Sequence, residues 1–210
     1  MISGAAMDEI PWFEYDEDDL DVAQRAFVDV LADRAGTWLV HPLDTMVLPS
    51  AFTSDGRLIV YLDIGHPQRN QGVLTVGAHF DGCFVRGGQL HNQDFTVQQA
   101  ASEFILGAAG SPAELGNRAA EWFEAVLARP LVRWEWHHEG RMYAVRYQYA
   151  DTGRGLSEGF EDSPPPDALR KRLAADGMSR GRINRADLGQ PDVIAHVRGV
   201  CLDQWVRDTS

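Results

Sequence analysis

Apolar positions along residues 111–127 recur at helical spacing. Leu115, Ala119, Trp122 and Val126 fall on one face, and Phe123 and Leu127 widen it. Ser111-Pro112-Ala113-Glu114 supplies an N-cap, a proline at the first helical position and a capping-box acid, so the entry is specified by the backbone donors these groups satisfy. Arg129 and Pro130 close the last turn, and the apolar face calls for a sheet beneath it.

The alternating stretch that follows reads as a hairpin turning at His138-Glu139-Gly140-Arg141. In that register Trp136 pairs with Tyr143, Trp134 with Val145 and Val132 with Tyr147 on an apolar side. The other side carries Arg133, Glu135, His137, Met142, Arg146 and Gln148 and is expected to be wet. There Glu135 would reach Arg133 along its own strand or Arg146 diagonally across the ladder.

Weaker periodicities organise the rest. Leu20, Ala23, Phe27, Val30 and Leu31 predict a helix over 20–34, capped by Asp18 or Asp19 and ended by Gly36. Short apolar runs at 38–40, 45–48, 58–64, 74–80 and 83–85, broken by turn residues such as Ser54-Asp55-Gly56 and Asp81-Gly82, read as an antiparallel meander. Gly87-Gly88 reads as a turn, 98–106 as a helix, 161–166 as a proline-rich linker and 167–175 as a short helix stopped by Gly177. The fold class is therefore α+β: an antiparallel β-sheet, built of the meander and a C-terminal hairpin, with helices packed on one face. Three regions are expected: a flexible acidic arm with aromatic residues at 1–19, an α+β core at 20–150, and an arginine-rich extension at 151–210 packed on the core.

Charge changes this picture by setting the arm apart. The net charge is −12, and eight acids lie in the first 24 residues with no base before Arg25. From Pro165 onward the balance reverses, with Arg170, Lys171 and Arg172 followed by Arg180, Arg182 and Arg185. An acidic chain repels phosphate backbones, which argues against nucleic-acid binding and leaves those arginines as a minor exception. No apolar run is long enough to span a bilayer and no secretory leader is evident, so a cytoplasmic location is expected, with no membrane partner. Cys83 and Cys201 stand alone, and two reduced thiols are the simpler reading than a disulfide.

Candidate chemistry is sparse. His79, Asp81 and Cys83 alternate along one segment, but Asp81 has an evident job as a turn residue and no second cluster completes a metal site. A small-molecule pocket around His79, Cys83, His91 and Tyr143 is the alternative, with Cys83 and a histidine as nucleophile and base. Nucleotide-loop, zinc-protease and serine-hydrolase fingerprints are absent, so no catalytic residue, metal or cofactor is assigned. The arm is the other resource. Trp12, Phe13, Glu14, Tyr15 and Glu17 interleave aromatics with carboxylates, as a linear interaction element would, or as an arm folded back on its own domain would.

The stretch Gly110-Ser111-Pro112-Ala113-Glu114-Leu115-Gly116, continued by Ala119-Ala120-Glu121-Trp122-Phe123-Glu124-Ala125-Val126-Leu127-Ala128-Arg129-Pro130 and Glu135-Trp136, resembles a pattern in small actinobacterial proteins of unassigned activity. The order of elements is similar to the type III secretion chaperone and YbjN-like fold, whose members bind peptides or protein partners. The charge layout is similar to that of bacterial immunity proteins. The charge segregation and the missing catalytic fingerprints, with which these resemblances agree, lead to the expectation of a non-catalytic module that captures a protein or peptide through Trp12, Phe13, Glu14, Tyr15 and Glu17, assisted by Arg133, Glu135 and Arg146 of the polar hairpin face.

Overall fold

A computed structural model of the chain describes residues 12–53, 56–66, 72–91, 96–97, 105–160, 164–175 and 188–198. The chain is α+β and divides into two compact units, 1–127 and 128–210. The division falls before the hairpin, which therefore belongs with the C-terminal strands and not with the meander, in contrast to the boundary expected at residue 150.

In the first unit, helix α1 (Val22–Ala35) is followed by strands β1 (Asp44–Leu48), β2 (Leu58–Gly65), β3 (Gly72–Phe80) and β4 (Phe84–His91). These form the expected antiparallel meander in sequential order. The two-residue β5 (Thr96–Val97) flanks the end of β4, and β6 (Leu106–Ala109) flanks its beginning. Leu106 is thus in a strand and not at the end of a helix; the remainder of that expected helix, 98–104, lies outside the described residues. The run 38–40 forms no strand, because Trp38 turns inward as a core residue.

Helix α2 (Pro112–Leu127) begins as its sequence specifies: the Ser111 N–H donates to Glu114 Oε2 at 2.9 Å and the Ser111 hydroxyl donates to the same oxygen at 2.7 Å. Helix α1 is capped by Asp21, two or three residues later than expected, because Asp21 and Gln24 complete a reciprocal capping box while Glu17–Asp19 forms a separate 3-10 turn. Both helices cover one face of the meander. Phe27 of α1 stacks on Phe80 of β3 with ring centroids 4.5 Å apart, and Phe80, Ala78, Val85 and Gly87 share that face through the β3–β4 register. The two helices meet at Gly116, where a Cβ would lie 2.6 Å from the Phe27 carbonyl oxygen. Gly87 and Gly88 are interior to β4: an added Cβ would crowd Trp122 at the first and Val97 at the second, so these glycines serve packing and not a turn.

In the second unit, strands β7 (Leu131–His138), β8 (Arg141–Tyr149), β9 (Gly155–Phe160) and β10 (Val193–Arg198) form an antiparallel sheet in the order β10-β7-β8-β9. The short helix α3 (Asp167–Ala175) matches its sequence signal. The hairpin turns on Glu139 and Gly140, both at positive φ (51° and 74°), the backbone of a type I′ turn. Two residues into the ladder Tyr143 is bulged, so Trp136 faces Ala144, Trp134 faces Arg146 and Val132 faces Gln148. The expected register holds only at the turn.

The bulge redistributes the apolar residues over two faces. Tyr143 joins Trp136 and Ala144, against which Trp134, Leu169 of α3 and Leu188 pack. Val145, Tyr147 and Tyr149, all buried, go to the opposite face with Leu131 and Arg133. The face expected to be wet is not: Arg133 and Gln148 are buried. Among the described residues no helix is long and apolar enough to cross a membrane.

Candidate functional site

The segment 12–17 is anchored by its second residue. Phe13 is 1% exposed, and its ring packs edge-on to Trp38 (centroids 6.3 Å apart) and at a tilt against Phe123 of α2 (5.8 Å). Its backbone is held at φ 57°, a conformation uncommon for a bulky side chain, and its N–H donates to Thr45 Oγ1 of β1 at 2.8 Å. Of the two expectations for the arm, a flexible linear element and an arm folded back on its own domain, the second describes the chain from residue 12 onward. The apolar worth of burying a phenylalanine, together with a satisfied amide, outweighs the local strain.

Anchoring Phe13 fixes its neighbours. Trp12 lies nearly parallel to the exposed His41 ring, 13° between planes and 5.6 Å between centroids. The Tyr15 hydroxyl donates to Asp29 Oδ1 of α1 at 2.5 Å. That bond, partial burial and the neighbouring carboxylates of Asp29 and Glu17 push the Tyr15 pKa up to about 12 against the opposing charge of Arg25. The Asp16 carboxylate accepts from the Asp18 N–H, which fixes the turn that follows. Between this segment and α1 lies a cleft of about 770 Å³, lined by Trp12, Phe13, Glu14, Tyr15, Asp16, Glu17 and Ala32.

All five arm residues singled out from the sequence thus border one cavity, although Phe13 serves as its foundation and presents almost no surface. Asp16 belongs to the acidic run already evident in the segment, whereas Ala32 lining the cleft, and His41, Asp29 and Thr45 supporting it, carried no local signal, because they lie 14 to 32 residues away in the chain from the residues they meet.

The other candidates are placed differently. Along β7, Glu135 sits between Arg133 and His137: Arg133 Nη2 is 2.7 Å from Glu135 Oε1, and His137 Nε2 is 2.7 Å from Glu135 Oε2. Since a carboxylate only accepts, Nε2 carries the proton. Side-chain exposures of 7%, 13% and 31% for Arg133, Glu135 and His137 make this a largely internal ladder whose outer end alone meets solvent. Asp192 joins it to β10, accepting from the His137 N–H at 2.6 Å. Arg146 is not part of it. The bulge turns Arg146 to the tryptophan face, its guanidinium carbon 5.8 Å from the Trp136 ring centre, so the expected Glu135–Arg146 diagonal does not form.

The residues of the alternative pocket are placed as follows. His79 faces Arg86 in the β3–β4 register, which sets it about 17 Å along the ladder from His91 at the other end of β4. Cys83 is exposed in the turn, where Asp81 Oδ1 accepts the Cys83 and Phe84 N–H groups. Tyr143 belongs to the packed cluster of the second unit, and burial raises its pKa. The His91 side chain, Cys201, Arg180, Arg182 and Arg185 lie outside the described residues.

No family model, curated protein or solved structure matches this chain. Among the described residues no group of three or more histidine, cysteine, aspartate or glutamate side chains is arranged to hold a metal ion.

Proposed function

We propose that this protein is a non-catalytic binding module that captures a protein or peptide partner in the cleft formed by residues 12–17 and α1, in the manner of chaperone-like or immunity-like proteins. The observation that carries this reading is the cleft itself: a shallow, widely open depression of about 770 Å³ lined by Trp12, Tyr15 and the exposed Glu14, Asp16 and Glu17. Aromatic side chains offer large contact area at low ordering cost, and here the backbone that carries them is already held by the burial of Phe13, so little freedom is lost on binding. The internal ladder of Arg133, Glu135 and His137 supports the second unit's fold and has no place in this function.

The test is selection of an unbiased displayed-peptide library on the intact chain and on a Trp12→Ala variant with an unchanged melting curve. Sequences enriched by the first and lost with the second support the reading. Failure of the intact chain to enrich any sequence, or enrichment that ignores Trp12, removes it.

A further inference from the structure

The charge of the molecule is concentrated where the cleft lies. Residues 1–127 hold 19 acids and 6 bases, whereas 128–210 hold 12 acids and 13 bases, so the first unit carries more than the whole net charge of −12. Around the cleft Glu14, Asp16 and Glu17 are exposed, and among the described residues neither Glu14 nor Glu17 has a basic partner. A cavity with this rim draws cations and repels phosphates.

Its walls narrow the class of cation. Trp12 has one face of its indole covered by the parallel His41 ring, so a planar guanidinium would stack on the opposite face. The Tyr15 hydroxyl is committed to Asp29, which fixes that ring and leaves the carboxylates as the polar contacts on offer. A guanidinium is weakly hydrated and forks onto carboxylates in two parallel bonds, so it gains from both wall and rim, whereas a compact ammonium gains chiefly from the rim. The cleft is also shallow and open along the continuous six-residue segment 12–17, which suits an extended chain better than a small free cation.

Building on the binding function proposed above, we infer that the occupant is an arginine-bearing extended segment of a partner protein, with a guanidinium stacked on Trp12 and paired with Glu14 and Glu17. The probes are three fluorescein-labelled octapeptides, (Gly-Arg)4, (Gly-Lys)4 and (Gly-Gln)4, titrated into the full chain by anisotropy at physiological salt. The arginine peptide is expected to bind about tenfold tighter than the lysine peptide, the size of a partly desolvated cation–π contact. Trp12→Leu should erase that preference and Trp12→Phe should retain most of it. Glu14→Gln with Glu17→Gln should weaken both cationic peptides, and Ala32→Leu, which fills the cleft without changing charge, should weaken all binding.

Equal binding of the arginine and lysine peptides, indifferent to Trp12→Leu, would reduce the site to diffuse acidic attraction and overturn the inference. Preference for the glutamine peptide would also overturn it while leaving a peptide-binding cleft in place. Absence of binding by all three peptides overturns the arginine assignment, and the library selection above then decides separately whether the cleft binds peptides at all.

Discussion

Phe13 and Glu135 show how single side chains set what lies around them. Because Phe13 is fully enclosed between Trp38 and Phe123, Phe13→Ala is expected to cost about 3–5 kcal/mol. Denaturant unfolding would show this as a lower midpoint, accompanied by loss of the cleft. Tyr15 is partly solvated, and its contribution is better followed by pH than by energy. Its folded-state pKa lies above the ordinary 10.0, so the stabilisation from its bond to Asp29 is complete below pH 10 and lost as pH rises toward about 12. The difference in melting temperature between the wild-type chain and Tyr15→Phe should therefore be constant below pH 10 and shrink above it. In the second unit, removing Glu135 leaves the Arg133 charge buried beside a thioether sulfur, Met142 Sδ, at 3.4 Å. Glu135→Ala is expected to cost about 3 kcal/mol, and replacing both residues by apolar ones should cost less than that single change.

The helices and the hairpin were legible from short-range pattern to different depths. Helix α2 follows its cap and spacing, and helix α3 its expected bounds, because those signals lie close in the chain to the residues they govern. The hairpin turn is also local: Glu139 and Gly140 both take positive φ, where asparagine is better suited than glutamate. Glu139→Asn is expected to stabilise the protein by a few tenths of a kcal/mol to about 1 kcal/mol, readable in chemical denaturation. The bulge at Tyr143 was not legible, because alternation in β8 is satisfied equally by a regular ladder with one apolar face and by a bulged ladder buried on both. Similarly, Gly87-Gly88 has the composition of a turn, yet Trp122 and Val97 occupy the space above it.

For the molecule as a whole, the separation of charge between 1–127 and 128–210 places the electrostatic part of any capture on the first unit. Attraction by exposed carboxylates is screened within a Debye length of about 8 Å at physiological ionic strength. Binding of the arginine peptide should thus weaken with added salt, while the residual affinity at high salt should track Trp12. Isothermal titration at 50 mM and 500 mM sodium chloride would separate the two: a salt-insensitive affinity would contradict the role given to Glu14 and Glu17.

The amino-acid sequence alone determined the α+β class, the antiparallel meander, the entry of helix α2, the hairpin turn and the acidic, aromatic character of 12–17. These features depend on residues within a few positions of one another, where backbone donors, pleat alternation and charge act directly. Only the folded chain decided that Phe13 is a core residue, that Asp29, His41 and Thr45 convert the segment into one wall of a cleft, and that Arg133 is internal while Arg146 lies with the tryptophans. The reason is the same in each case. Thr45 is 32 residues from Phe13, and the bulge in β8 is fixed by which side chains find cover on two faces at once, so packing between distant segments had to choose among locally equivalent alternatives.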